Sequence, residues 1–255
     1  MRIFTWNING IRAAVKKGFL EWFKETNPDI LCLQETKAQF NQLDDSVTNI
    51  NGYKSYWFSA ERKGYSSVAT FTKFKPVEVL NGFGKKEFDS EGRVIFTEFN
   101  EFVLANVYFP NGGRGPERLK YKLDFYDELF FYINKNYKSR KGIIITGDFN
   151  TAHNEIDLAK PQQWSKVSGF LNEERAWIER IINLGYVDVF RVLNPNVQKF
   201  TYWDQISRAR QRNEGWRIDY FMVSEDIAGK VTFAEIHDTI TGSDHCPVSI
   251  NIEIN

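Results

Sequence analysis

The chain has 255 residues, 42% hydrophobic and 26% charged, with Lys+Arg and Asp+Glu both at 33. That is the composition of an ordinary soluble globular protein, and the cancelled charge argues against blanket attraction to polyanions while leaving room for a local basic patch beside an acidic pocket. Two cysteines exclude a disulfide framework, and no apolar run reaches the roughly 18 residues of a membrane span. No signal peptide precedes Arg2-Ile3-Phe4, so a soluble, cytoplasmic protein is expected. The 22 Phe, 11 Tyr and 7 Trp predict a core rich in rings, some of them available to stack on a ligand.

In chain order, Ile3-Phe4-Thr5-Trp6 reads as a strand that ends at Asn7-Ile8-Asn9-Gly10. Phe19 to Lys24 suggests a short helix, stopped by Asn27-Pro28. The run Ile30-Leu31-Cys32-Leu33 predicts a buried strand with a buried thiol, and Gln34-Glu35-Thr36-Lys37 leaves its end. Further strands are expected over Tyr53–Phe58, Val68–Thr72, Val77–Leu80, Val94–Phe99 and Phe102–Val107. Tyr108 to Pro116 must be a loop, and Pro116 is placed to start a helix with Leu119, Leu123, Tyr126, Leu129, Phe130 and Ile133 at helical spacing.

Ile143-Ile144-Ile145-Thr146-Gly147-Asp148-Phe149-Asn150 reads as a buried strand carrying polar groups at its carboxyl end, where α/β sheets tend to bind ligands. If strand geometry persists, Asp148 and Asn150 project together and Phe149 turns into the core. Residues 152–170 are polar and irregular, Glu173 to Leu184 reads as a helix ended by Gly185, and residues 199–217 form a basic, aromatic loop. Ile218–Val223, Val231–Ile236 and the alternating Val248–Ile254 complete the strands. With no linker and no repeat visible, the expectation is one α/β domain over residues 1–255.

Six strand ends or loops thus carry polar residues out of apolar runs: Asn7 with Asn9, Glu35, Tyr108 with Asn111, Asp148 with Asn150, Asp219, and Asp244 with His245. Singly, each is most simply a turn former, a cap or a core-edge group. Together they form an oxygen-rich set suited to Mg²⁺ and to phosphodiester hydrolysis, which needs a water-activating base and donors for developing charge.

Trp6-Asn7-Ile8-Asn9-Gly10-Ile11-Arg12-Ala13, Leu33-Gln34-Glu35-Thr36-Lys37, Tyr108-Phe109-Pro110-Asn111, Gly147-Asp148-Phe149-Asn150, Trp216-Arg217-Ile218-Asp219-Tyr220 and Gly242-Ser243-Asp244-His245-Cys246-Pro247 resemble, in order, the motif set of the exonuclease III family of apurinic/apyrimidinic (AP) endonucleases. The resemblance covers residues 2 to about 252. Gly-Asp-Phe-Asn and Ser-Asp-His alone also mark the wider endonuclease/exonuclease/phosphatase superfamily.

The resemblance implies a four-layer α/β sandwich of the DNase I-like kind, two facing mixed sheets flanked by helices. It implies Mg²⁺, with Mn²⁺ as a substitute, held mainly by Glu35 with Asn7, Asn9 and Asp244 nearby. Many members carry Asp where this chain has Asn9, so one negative charge is missing. Asp148 would activate or orient the attacking water with Asn150, while His245, coupled to Asp219, contacts the phosphate with Tyr108 and Asn111. Which of Asp148, His245 or an ionised Tyr108 is the base stays open.

Phosphate contacts would come from Arg114, Arg118, Arg208, Arg210, Arg212 and Arg217, whereas Lys120 and Lys122 are read as a solvated helix face. In the family, Tyr202, Trp216 and Ile218 match a small apolar pocket for a sugar lacking its base, and Arg114 would reach into the duplex. The implied activity is cleavage 5′ to an abasic site in double-stranded DNA, leaving a 3′-hydroxyl, with 3′→5′ exonuclease or end-trimming activity, by a monomer of prokaryotic cytosol with no membrane partner. Rivals are a phosphatase or nonspecific nuclease of the same superfamily, a relative that also nicks beside deoxyuridine, and a binding module without catalysis.

Overall fold

Strands that are apolar on both faces require cover on both sides, and the central strands have it. In the computed structural model, which describes residues 1–254, the strands are β1 (Arg2–Asn7), β2 (Ile30–Gln34), β3 (Lys54–Phe58), β4 (Val68–Thr72), β5 (Glu78–Asn81), β6 (Val94–Glu98), β7 (Phe102–Tyr108), β8 (Gly142–Asp148), β9 (Tyr186–Asp188), β10 (Asp219–Ser224), β11 (Val231–Ile236) and β12 (Val248–Ile252). They form two six-stranded sheets, ordered β11-β12-β1-β2-β4-β3 and β5-β6-β7-β8-β10-β9. Each sheet has one parallel pair at its centre, β1 with β2 and β7 with β8, and is otherwise antiparallel. The expected four-layer sandwich of two mixed sheets is therefore present. The helix Ile11–Val15 and the short strand β9 were not expected.

Alternation along each strand feeds two different cores. Ile3, Ile30, Cys32, Leu104, Ile144, Phe221 and Ile250 meet between the sheets. Phe4, Trp6, Leu31, Leu33 and Phe71 face outward onto Phe19 and Phe23 of the helix Phe19–Thr26. Val103, Ala105, Ile143 and Ile145 face outward onto the helices Pro116–Asn136 and Asn172–Asn183 through Phe125, Leu129, Trp177 and Ile181. Pro116 does begin its helix.

Towards one end the space between the sheets turns polar. Gln34 donates to Thr5 Oγ1 at 2.9 Å and to Asn106 Oδ1 at 2.7 Å, and Asn106 donates to the Ala69 carbonyl at 2.8 Å and to Thr70 Oγ1 at 3.1 Å. Pairing offsets most of the cost of burying these amides, although Gln34 Oε1 is left without a partner. This polar layer ties the parallel pairs together beneath the strand ends.

Candidate active site

Parallel pairs present their carboxyl ends side by side, so four of the six polar motifs arrive at one edge by topology alone. In register Asn7 lies beside Gln34, and Tyr108 beside Asp148. β10 runs antiparallel to β8 and starts there, with Asp219 opposite Asp148. The loop before β12 brings His245 to the same place, its carbonyl accepting from Trp6 Nε1 at 3.2 Å.

Gly147 explains how tightly the pair β7–β8 can close. Its φ is +134°, and a Cβ there would stand 1.9 Å from the Val107 carbonyl oxygen, so only glycine fits. Strand geometry ends at Asp148, so the condition for Asp148 and Asn150 to share a strand face is not met. Asn150 has φ 51° and its N–H turns back onto Asp148 Oδ1 at 2.8 Å, so the two side chains converge through a turn rather than along a strand face. Phe149 is buried, its ring centroid 4.2 Å from that of Phe109. Asn9 and Glu35 also hold left-handed backbone, at φ 45° and 51°. Such strain concentrates at functional sites.

Asp148 is the hub. Its Oδ2 accepts from Asn7 Nδ2 at 2.9 Å and from Asn150 Nδ2 at 3.2 Å, and lies 3.8 Å from His245 Nε2. His245 Nδ1 is 2.8 Å from Asp219 Oδ2, with all three residues buried. Burial raises the Asp148 carboxyl, the His245 charge opposes that and Asp219 adds to it, leaving it at about 7. Burial alone would lower the His245 ring, but Asp219 and Asp148 outweigh it and lift the ring to about 10. The Tyr108 phenol is pushed well above its ordinary value by burial and then by the Glu35 charge, which disfavours a phenolate. Asn111 donates to Asn150 Oδ1 at 3.0 Å.

Beside this hub sits a cation-binding set. Glu35 Oε1 accepts from Asn7 Nδ2 at 2.9 Å, and Glu35 Oε2 meets Lys37 Nζ at 2.7 Å. Lys37 also donates to Asn9 Oδ1, and Asn9 Nδ2 donates to Asp244 Oδ2 at 2.9 Å. Burial would raise Glu35, but Lys37 and the Asn7 hydrogen bond outweigh it and keep the carboxyl below its usual value. Glu35 and Asn9 thus turn two oxygens on one positive charge, a hard-donor set that fits Mg²⁺. Asn7 bridges Glu35 and Asp148 through its nitrogen while its oxygen accepts from the Asn9 N–H, so as placed it orients ligands rather than offering one. Asp148, Asp219 and His245 also bring one potential ligand atom each within 4.8 Å of one another. His245 Nδ1 is committed to Asp219 there, which makes that trio an acid–base couple.

A cleft of about 750 Å³ opens onto these groups. Tyr202, Trp216 and Ile218 do meet in it, packed on Ala152, Leu158 and Phe170, with the Tyr202 and His245 rings 4.9 Å apart. Arg114 is exposed on its rim. Two of the expected phosphate contacts are contradicted. Arg217 is fully buried, with both Asp157 and Asp188 gripped in bidentate fashion at 2.7 to 3.2 Å. Arg210 gives its guanidinium to the carbonyls of Asp238, Ile240 and Ser243 and lies 4.6 Å over Trp203. Both therefore brace the loop from within. Arg118 is taken by Glu91 at 2.9 Å. Lys122, expected in solvent, is wholly buried against Glu174. Ile206, an apolar residue in a polar run, is 95% exposed in the turn of the basic loop.

Residues 4–245 match the model of the endonuclease/exonuclease/phosphatase family. Over the whole of both chains the protein is 42% identical to an exodeoxyribonuclease of Bacillus subtilis. It is 40% identical to the DNA repair nuclease APEX1 of Danio rerio, matching all of this chain and 83% of that one. An AP endonuclease structure from Archaeoglobus fulgidus superposes with a TM-score of 0.90 over the full length of both, at 29% identity.

Proposed function

The chain belongs to the endonuclease/exonuclease/phosphatase family, and within it we propose a DNA repair nuclease, a monomeric cytoplasmic enzyme that hydrolyses the phosphodiester 5′ to an abasic site and trims 3′ ends. The observation that carries this is the adjacency of a buried Asp148 with a pKa of about 7, a charged His245, and an apolar pocket of Tyr202, Trp216 and Ile218 in one cleft. A small phosphoester would need the first two but not the third. A sugar without its base has little stacking to lose on leaving the duplex and is small enough for such a pocket.

Asp148 takes a proton from water, because it is the one group of the site poised near neutral pH. Asn7 and Asn150 hold its Oδ2, which aims its other lone pairs at the water. The new bond forms from water oxygen to phosphorus as the bond to the 3′ oxygen breaks; the departing 3′ oxygen takes a proton from solvent to give a 3′-hydroxyl, the other product is a 5′-phosphate, and Asp148 returns its proton to solvent. Charge grows on the non-bridging oxygens meanwhile, and His245, cationic and fixed by Asp219, faces them with the Tyr108 hydroxyl and the remaining amide N–H of Asn111, while both N–H groups of Asn150 stay on Asp148 and the Phe109 carbonyl. Glu35, Asn9 and Asp244 would hold Mg²⁺, or Mn²⁺ in its place, which supplies Lewis-acid stabilisation of the phosphate and leaving oxygen. Arg114 on the rim engages the duplex.

An abasic duplex incubated with the protein and Mg²⁺, beside matched uracil-containing and undamaged duplexes, tests the proposal. A strand cut on the 5′ side of the abasic residue is the expected product, and an intact abasic strand would refute it.

A further inference from the structure

Lys122, on the long helix Pro116–Asn136, and Glu174, on the helix Asn172–Asn183, are both wholly inaccessible, with Nζ 2.6 Å from Oε1. Replacing such a pair by apolar residues of like volume is often neutral or stabilising, so stability alone is a poor account of it. Its other partners are more informative. Lys122 Nζ donates to the Asn150 carbonyl at 2.7 Å. Glu174 Oε1 accepts from Ser168 Oγ at 2.8 Å, and Oε2 from the N–H groups of Gly169 and Leu171 at 2.6 and 3.1 Å. Ser168 and Gly169 line the cleft. A Cβ on Gly169 would stand 3.1 Å from the Trp216 ring and 3.4 Å from the Asn150 carbonyl, so this glycine touches the pocket wall and the Asp148–Asn150 turn at once. Ser168 in turn packs on Gly112, next to Asn111, where a Cβ would come within 2.6 Å of Ser168 Oγ. One buried ion pair therefore spans both walls of the cleft.

We propose that Lys122 and Glu174 are positioning residues, locking the Asn150 turn and the Ser168–Gly169 wall of the sugar pocket into a single register. No apolar substitute would satisfy the Asn150 carbonyl and the Gly169 N–H together, so the pair holds where the loops lie. Its catalytic consequence rests on the cleavage reading above.

Lys122→Met alone strands a buried carboxylate and is expected to unfold the protein, so the decisive variant is Lys122→Met/Glu174→Gln, which removes both charges. It should melt cooperatively, at a midpoint lowered by the buried Asn150 carbonyl that is left without its donor. Its kcat on the abasic duplex should fall about 10- to 100-fold while KM stays within about threefold, as expected when reacting groups shift by a fraction of an ångström. Amide exchange at Ala152, whose N–H is held by the Gly169 carbonyl, and at Gly169 should accelerate while β7 and β8 keep their protection. Lys122→Arg, which keeps a charged donor, should restore most of kcat. A folded double variant with wild-type kcat and wild-type exchange overturns the proposal, as does a loss of kcat that merely tracks the unfolded fraction. The exchange measurement needs no substrate, so it decides the register even if the wild-type protein leaves abasic DNA intact.

Discussion

Replacing Asp219 by Asn isolates the charge on His245. Asp219 Oδ2 is 2.8 Å from His245 Nδ1, and Asp219 Oδ1 is buried without a hydrogen-bond partner, so its side-chain contact is with the ring, while its charge also helps to raise Asp148. Burial lowers the ring, and Asp219 is the largest influence lifting it from 6.5 to about 10, ahead of Asp148 and Asp244. At about 1.4 kcal/mol per unit, that lift is on the order of 5 kcal/mol shared among the three carboxylates. In the Asp219→Asn protein the ring loses its largest support but keeps Asp148 and Asp244, so its pKa falls from about 10. Loss of the whole lift would leave about one ring in ten cationic at pH 7.5 and about one in a hundred at pH 8.5, against nearly all in the wild type. Single-turnover cleavage of an abasic duplex should therefore be slowed by up to about tenfold at pH 7.5 and up to about a hundredfold at pH 8.5, with ring titration followed by ¹⁵N NMR. The introduced amide also finds no acceptor where Oδ1 now lies, a cost of about 1–3 kcal/mol, so folding is checked by melting at each pH. A rate loss independent of pH, or a ring still charged at pH 9, would show that Asp219 does not act through the imidazolium.

Asp148→Ala should cut turnover by about 10²–10⁴ while abasic-duplex binding, read by fluorescence anisotropy, survives; persistent cleavage would remove Asp148 from the role of base. Arg217→Met strands Asp157 and Asp188 and should cost about 3–5 kcal/mol in denaturant unfolding. A phosphate contact at Arg217 would instead lower the salt slope of DNA binding by about 0.9 with stability unchanged. Asp157 gives a pH test. Burial would raise its carboxyl, but Arg217 and Arg191 outweigh it and lower it from 3.8 to about 2. The folded state therefore favours the carboxylate, and this stabilisation, about 2 kcal/mol, is complete above pH 4 and lost as pH falls towards 2. Urea midpoints measured from pH 6 to 2 should show that slope in the wild type and lack it in Asp157→Asn.

Much of the architecture was legible along the chain. Apolar runs such as Ile30–Leu33 and Ile143–Ile145 announce buried strands because they can be accommodated nowhere else, and the polar groups behind them mark strand ends. Tyr202, Trp216 and Ile218 lie together and line the cleft. The basic loop is less legible. Arg210 and Arg217 look, in sequence, like Arg208 and Arg212, yet the first two point inward to carbonyls and carboxylates while Arg208 is exposed.

Which residue types stand at the ends of which strands is written in the chain alone, since side-chain alternation and turn chemistry are local. So is the family resemblance that the six motifs carry in order. The charge states are not. Asp148 at about 7 and His245 at about 10 depend on burial, on each other and on Asp219 and Glu35, brought together from distant parts of the chain. Folding also selects which cations face DNA, because Lys122 and Arg217 find carboxylates 52 and 60 residues away that no local pattern marks. Coulomb and desolvation energies depend on distance and dielectric, and both are properties of the fold.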